Sequence, residues 1–301
     1  MRFSLWTSSN QPWAEMLAAA RHAEATGWDG VWVADHFMGN DPGPIPPETP
    51  TLEAGSLVAA LAAAVDRVRI GTLVYGNTYR HPAVVANMAA TVDQVSDGRF
   101  VLGLGAGWQV NEHEQYGIEL PPVGERVERF EEAVQIVRSL LREPRTTFDG
   151  RHYRITDALC EPKPVQPELP ILVGASGDRM LGIAARFADE WNTWGLPDRI
   201  ADRSTALTRR CESAGRDPDA IARTAQALLF FTADDAEAQR LADAIPRPVM
   251  AGTPDRLRDV VAAYAEAGLD ELIVPDFTLG SGAQKTDALD RFIDEVAPAF
   301  R

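Results

Sequence analysis

Residues 68–105 read VRIGTLVYGNTYRHPAVVANMAATVDQVSDGRFVLGLG, two short apolar runs on either side of a longer alanine-rich segment. The runs Val68–Tyr75 and Arg99–Gly105 have the length and composition of strands buried in a parallel sheet. Between them, Pro82 follows His81 and marks the start of a helix, because proline suits the first helical turn. The stretch therefore predicts a strand, a helix and a second strand, the repeating unit of α/β proteins.

The same alternation extends along the whole chain of 301 residues. It predicts six further strands, at Arg2–Trp6, Val31–Asp35, Ile171–Ala175, Glu190–Gly195, Ala222–Phe231 and Asp270–Asp276. Eight strands that alternate with helices fit a closed barrel or an open doubly wound sheet. Because the units are regular and show no reversal of strand order, we predict a single (β/α)8 TIM barrel over residues 1–301.

One segment, about residues 143–169, interrupts this rhythm. Asp149 and Gly150 lie between two short extended runs, a pattern typical of a β-hairpin. The proline-rich stretch CEPKPVQPELP follows at residues 160–170. We therefore predict an insertion that contains a hairpin between the fourth and fifth βα units.

The chain is acidic, with 29 Lys and Arg against 44 Asp and Glu, a net charge of −15. This charge repels nucleic acids and anionic membrane surfaces, so neither is expected as a partner. The longest apolar stretch, within Ala54–Val65, is too short to span a bilayer. The N-terminus does not resemble a signal peptide, and the two cysteines, Cys160 and Cys211, predict no disulfide framework. We expect a cytoplasmic protein.

The predicted second strand ends in Asp35 and His36. Chemistry in a barrel sits at the carboxyl ends of the strands. There an imidazole can lie over a bound ligand while a neighbouring carboxylate selects its tautomer. The purely structural alternative is a capping aspartate and a packed histidine.

Two glycine-containing turns follow later strands. Gly103–Trp108, GLGAGW, lacks the third glycine of a nicotinamide-binding fingerprint, because Trp108 stands in its place. Its glycines suit either the close approach of a flat ligand or tight strand packing. Gly174–Arg179, GASGDR, begins a helix and suits a phosphate, although a plain turn with a surface arginine fits equally.

Metal sites and nucleophiles are not indicated. The five histidines show no metal-ligand spacing, so no metal is expected. The polar run Asn111–Glu114 is interpreted as the exposed start of a helix.

Taken together, these stretches resemble the luciferase-like monooxygenase superfamily, and within it the deazaflavin-dependent oxidoreductases. The resemblance rests on WVADHF at residues 32–37, the block at residues 70–117, and PPVGERVERFEEAV at residues 121–134. It continues through residues 148–166, 171–195 and 251–276, and so covers nearly the whole chain.

The resemblance implies a barrel whose mouth holds the ring of coenzyme F420 or, alternatively, of FMN. Asp35 and His36 match the pair that reaches this ring, and His36 with Asp35 is the expected catalytic pair. Leu73 and Val74 match a dipeptide joined by a non-prolyl cis bond, which bulges against the ring. The remaining expected coenzyme contacts are Thr72, Asn111, Gly174, Ala175, Ser176, Gly177, Asp178 and Arg179, the last six around the phosphate.

The chain departs from relatives that oxidise a sugar phosphate, which carry a glutamate where this chain has Trp108. Those relatives also bind the substrate phosphate through lysines, and here only Lys163 and Lys285 occur. Both observations argue against a sugar phosphate. Trp6 and Trp108 are instead expected to form walls of an apolar substrate pocket.

The sequence thus predicts an oxidoreductase that transfers a hydride between C5 of F420 and a small organic substrate, with His36 handling a proton. A deazaflavin has carbon at position five, so two-electron hydride chemistry is its natural use. The alternatives are an FMN-dependent two-component monooxygenase and a non-catalytic flavin-binding protein. The resemblance also implies a homodimer.

Overall fold

The computed structural model describes residues 1–301, which form thirteen strands and ten α-helices. The strands are β1 Arg2–Thr7, β2 Gly30–Val33, β3 Arg69–Thr72, β4 Tyr75–Gly76, β5 Phe100–Gly105, β6 Thr146–Asp149, β7 Arg154–Ala158, β8 Ile171–Gly174, β9 Glu190–Trp194, β10 Ala222–Gln226, β11 Leu228–Phe231, β12 Val249–Gly252 and β13 Glu271–Pro275. The helices are α1 Trp13–Thr26, α2 Ala54–Ala64, α3 Pro82–Ser96, α4 Val110–Tyr116, α5 Val123–Arg142, α6 Asp178–Phe187, α7 Pro197–Ser213, α8 Asp235–Ala244, α9 Pro254–Glu266 and α10 Ala283–Arg291.

Eight parallel strands close into a barrel. Their order is β3-β2-β1-β13-β10-β9-β8-β5, and β5 pairs back with β3 through Ile70–Phe100 and Gly71–Val101. The two-residue strand β4 follows β3 and pairs with the far end of β5. The predicted (β/α)8 barrel is confirmed.

Strand residues alternate between the inside and the outside of the barrel, as the two-residue period of a strand requires. In β5, Phe100, Leu102 and Leu104 belong to the large apolar cluster packed against the helices. Val101, between them, belongs to a separate cluster of seven buried residues. Its members are Trp6, Trp32, Ala34, Leu73, Val101, Leu172 and Ile273. The barrel is therefore filled by side chains and opens only towards the carboxyl ends of its strands.

A buried network of charges lies at the amino ends of the strands. Glu271 accepts hydrogen bonds from Arg69 at 2.7 Å and Arg2 at 3.0 Å, and its other oxygen accepts one from Trp32 Nε1 at 2.9 Å. Arg69 also pairs with Glu190. Four strands, β1, β3, β9 and β13, contribute these four charged residues at their first positions. The network therefore ties non-adjacent strands together across the barrel floor.

The predicted hairpin is confirmed, since β6 and β7 pair antiparallel between the fourth and fifth barrel strands. The predicted seventh strand is only partly right. It breaks at Ala227, so that β10 enters the barrel while β11 leaves it and pairs with β12. The apolar run Ala227–Phe231 continues directly from the end of β10, and periodicity alone cannot reveal the change of strand partner at Ala227.

None of the helices is long and apolar enough to cross a bilayer.

Candidate functional site

A cavity of about 630 Å³ opens at the carboxyl ends of the barrel strands. Its wall includes most residues singled out in the sequence: Trp6, Asp35, His36, Leu73, Val74, Trp108, Gly174, Ala175, Ser176 and Gly177. Residues that the sequence analysis did not select also line it, among them Tyr79, Met180, Asn192, Thr193, Trp194, Arg199, Gln226 and Arg247. The cavity is therefore more polar than the apolar pocket expected around Trp6 and Trp108.

Four predicted coenzyme contacts have side chains that do not line this cavity. The Thr72 hydroxyl donates to the carbonyl of Gly103 and accepts from its N–H, at 2.8 and 3.0 Å. Asn111 Nδ2 donates to the carbonyl of Gly39 at 2.8 Å. Asp178 pairs with Arg203, and Arg179 is 59% exposed and lies 3.9 Å from Glu128. Each of the four side chains thus contacts another group of the protein, although Asn111 Oδ1 is buried and has no hydrogen-bond partner.

The peptide bond between Leu73 and Val74 is cis, as predicted. Three glycines from two neighbouring strands surround the Val74 side chain. A Cβ added to Gly105 or Gly174 would lie 2.7 or 3.2 Å from a Val74 methyl, and one added to Gly103 would lie 1.8 Å from the carbonyl oxygen of Thr72. The glycines of the GLGAG run thus leave room for β3 and for the Val74 side chain. Of the two roles considered for them, the structure shows tight strand packing.

Asp35 holds the loop after β4. Its carboxylate accepts from both terminal nitrogens of Arg80, at 2.7 and 3.0 Å, and from the N–H of Gly76 at 2.9 Å. Burial raises the pKa of Asp35 above its ordinary value, although Arg80 opposes this. With both oxygens engaged, Asp35 makes no hydrogen bond to His36, and the expectation that it selects the imidazole tautomer is wrong.

Glu112 is the carboxylate that contacts His36. Its Oε1 lies 3.0 Å from His36 Nδ1 and also accepts from the hydroxyl of Tyr79, while Oε2 accepts from the N–H of Phe37 at 2.8 Å. His36 Nε2 has no partner in the protein, and the ring lines the cavity. The edge of the ring packs against Trp108, with 5.5 Å between the ring centroids.

The interpretation of Asn111–Glu114 as an exposed helix start is wrong for its first three residues. Asn111, Glu112 and His113 are all buried, and only Glu114 is exposed. Helix α4 follows the carboxyl end of β5 and so lies beside the mouth of the barrel. The sequence does carry a signal for this: the polar run comes directly after a barrel strand, where residues of the barrel mouth are expected.

Another part of the cavity wall combines aromatic and cationic side chains. Trp194 packs on Trp6, with centroids 5.6 Å apart, and the Arg247 guanidinium lies 5.0 Å from a Trp194 ring centroid. Neither Arg247 nor Arg199 has a carboxylate within 4.0 Å. Two unpaired cations in a chain of net charge −15 leave this side of the cavity suited to an anionic group.

The turn before α6 offers a second place for an anion. Gly177 is the N-cap of this helix, and no side chain accepts from the first-turn N–H groups. These groups have no partners within the helix, and they carry the positive end of its dipole. A Cβ added to Gly177 would meet no atom within 4 Å. The turn therefore has both the donors and the space that a phosphate needs.

Comparison with known proteins identifies the family. The sequence profile described as luciferase-like monooxygenase matches residues 1–268. The chain belongs to this family. It is 31% identical to an F420-dependent glucose-6-phosphate dehydrogenase of Microbacterium testaceum, with 100% of this chain and 98% of the relative covered.

Two solved structures share the fold of this chain. The F420-dependent tetrahydromethanopterin reductase of Methanopyrus kandleri superposes with a TM-score of 0.82 at 18% identity, over 100% of this chain and 99% of that one. The monooxygenase RslO1 of Streptomyces bottropensis superposes with a TM-score of 0.80 at 21% identity, over 100% of both chains.

Proposed function

We propose that this luciferase-like protein is an F420-dependent oxidoreductase that transfers a hydride between the coenzyme and a small organic substrate. This proposal rests on one observation: a single cavity is lined by Val74, by the open turn before α6 and by His36, whose Nε2 is free. The F420-dependent relatives support the same coenzyme. F420 supplies a ring carbon that accepts or donates a hydride.

Residues of the chain bind the coenzyme ring, bind its phosphate and transfer a proton. Leu73, Val74, Gly105 and Gly174 line the cavity and form the surface against which a flat ring packs. The phosphate is bound by the backbone N–H groups at the start of α6, those of Ser176, Gly177, Asp178 and Arg179, because the N–H of Ala175 already donates to the carbonyl of Asn192. His36 Nε2 faces the cavity and takes or gives the proton that accompanies hydride transfer.

The choice of coenzyme is tested by titration. The apoprotein is expected to bind F420 at least about tenfold more tightly than FMN, which corresponds to about 1.4 kcal/mol of binding free energy. Protein tryptophan fluorescence reports the binding, because Trp6, Trp108 and Trp194 line the cavity. Tighter binding of FMN would instead support the two-component monooxygenase, and binding of neither coenzyme would contradict the proposal.

The phosphate turn is tested at Gly177. Its φ of −88° and the open space around it allow a leucine without strain, so Gly177→Leu should fold normally. The new side chain would occupy the space in front of the α6 N–H groups and is expected to weaken F420 and FMN alike by about tenfold or more. Gly177→Ala, with a much smaller side chain, should lose less. Unchanged affinity of Gly177→Leu for both coenzymes would move the phosphate elsewhere.

The substrate is proposed to carry a negative charge. Lys163 bonds the carbonyls of Leu140 and Glu143, and Lys285 is buried against Asp276, so neither lysine lines the cavity. Arg199 and Arg247 do line it and can bind an anionic group without a lysine, although Trp108 stands where the sugar-phosphate relatives have a glutamate. Comparing glucose 6-phosphate with glucose as a donor of hydride to F420 is the first experiment on the substrate.

A homodimer and a cytoplasmic location are also proposed. Val84 and Val95 on α3 are 54% and 48% exposed, which supports a contact between copies along this helix. Sedimentation should then give twice the chain mass of 32.8 kDa. Both cysteines are free and buried, in keeping with a reducing compartment.

A further inference from the structure

We infer that Glu112 is the positioning residue of His36: its buried carboxylate holds the imidazole as the Nδ1–H tautomer and leaves Nε2 free to act in the cavity. The inference deepens the proposed function, on which the catalytic use of His36 rests. It starts from three contacts of one carboxylate, with His36 Nδ1, the Phe37 N–H and the Tyr79 hydroxyl.

The first step is the charge state of Glu112. Burial alone would raise its pKa, but the hydrogen bonds from His36, Phe37 and Tyr79 hold the pKa below its ordinary value. Glu112 is therefore a carboxylate at neutral pH, although its side chain is fully buried. A buried carboxylate is stable only where donors surround it, and here three donors do so.

The second step is the tautomer. An ionised carboxylate only accepts hydrogen bonds, so the His36 nitrogen that faces it must carry a proton. In the neutral ring, the proton on Nδ1 leaves a lone pair on Nε2. Since Nε2 has no partner in the protein and the ring lines the cavity, that lone pair is available to a bound substrate.

The third step is the charged form of the ring. When a substrate alcohol is oxidised, the C–H bond of the carbinol carbon and the O–H bond break and a C=O bond forms; the hydride would pass to the coenzyme and the proton to His36 Nε2. The imidazolium then formed lies 3.0 Å from the Glu112 carboxylate, which stabilises it. In the opposite direction, reduction of a carbonyl, the same contact holds the protonated ring so that its Nε2–H is directed to the substrate oxygen.

The other charged and titratable groups around His36 do not replace Glu112. Asp35 is engaged by Arg80 and Gly76, and Arg80 is paired in turn with Asp35 and Glu53. Tyr79 donates to Glu112, and His113 bonds Thr78 and the carbonyl of Gln109. Glu112 is thus the one carboxylate within hydrogen-bond distance of the His36 ring.

The tautomer is measured directly by NMR on the full chain with ¹⁵N-labelled histidine at mildly alkaline pH. The wild type should show His36 with its proton on Nδ1, identified by the loss of that signal in His36→Ala. In Glu112→Ala the ring should become a mixture of tautomers, because no side-chain acceptor faces Nδ1. Glu114→Gln, on the exposed side of the same helix, and Tyr79→Phe, which keeps the carboxylate, should both retain the Nδ1–H form.

A kinetic cycle separates positioning from a merely structural role. Glu112→Gln is expected to lower kcat by about tenfold or more while the affinity for F420 changes little, and to have no further effect in the His36→Ala background. Glu112→Asp should restore part of the loss. A wild-type ring protonated on Nε2, or an equal loss with and without His36, would overturn the inference. The NMR result does not depend on a coenzyme, so failure to bind F420 would contradict the proposed function and leave this inference standing.

Discussion

The His36→Ala variant is expected to turn over substrate at least about tenfold more slowly than the wild type, since positioned acid–base groups typically contribute about 10²–10⁴-fold. His36 is the only histidine that lines the cavity, and its Nε2 is free while Nδ1 is held by Glu112. Asp35 and Tyr79 also line the cavity, but Asp35 is held by Arg80 and Gly76 and Tyr79 donates to Glu112, so neither replaces the ring in exchanging the proton. The loss should appear in kcat, measured from the absorbance of F420 under saturating substrate.

His152→Ala is the matched control for this variant. His152 lies in the turn between β6 and β7, near Glu128 at 3.5 Å, and it does not line the cavity. Its substitution should leave turnover near that of the wild type. Equal activity of the two variants would remove His36 from the mechanism.

The Glu271→Ala variant is expected to lose about 3–5 kcal/mol in the free energy of unfolding, the typical cost of removing one partner from a buried ion pair. The side chain of Glu271 is fully buried, and burial would raise its pKa, yet Arg69 and Arg2 hold the pKa below its ordinary value. Without it, Arg69 and Arg2 share only Glu190, and the indole N–H of Trp32 loses its acceptor. Denaturant unfolding followed by circular dichroism measures the change.

An exposed ion pair provides the comparison for Glu271. Glu295 pairs with Arg291 one turn earlier, and both side chains are nearly half exposed. Glu295→Ala should therefore cost less than about 1 kcal/mol. If Glu271→Ala cost no more than this control, the charges at the barrel floor would not be holding the strands together.

Local patterns were sufficient to predict most of the fold. Each strand of a parallel barrel is a short apolar run, and each covering helix has an apolar stripe, so alternation in the sequence reports the architecture directly. The hairpin at Asp149 and Gly150 is equally local, because only four residues, 150–153, connect its two strands. From β10 to β11 the sequence predicts one uninterrupted strand. The change of strand partner between them cannot be recognised from the sequence pattern.

The position of His36 at the mouth of the barrel also followed from the sequence, because the carboxyl end of a parallel strand points to the active face. Its partner did not. Asp35, its neighbour in sequence, points to Arg80 and Gly76, because successive residues of an extended chain face in different directions. Glu112, 76 residues further along the chain, reaches the ring because α4 lies against the loop that follows β2, where Asn111 also bonds the carbonyl of Gly39.

The sequence by itself determined the strands, the hairpin, the cis bond through its resemblance to the family, and which end of the barrel carries the site. Only the tertiary structure decided which carboxylate contacts His36, which arginines enter the cavity and which glycines make room for Val74. The reason is physical. Strand and helix periods depend on residues a few positions apart, whereas a hydrogen bond or an unpaired cation in the cavity depends on how elements far apart in the chain pack around the barrel mouth.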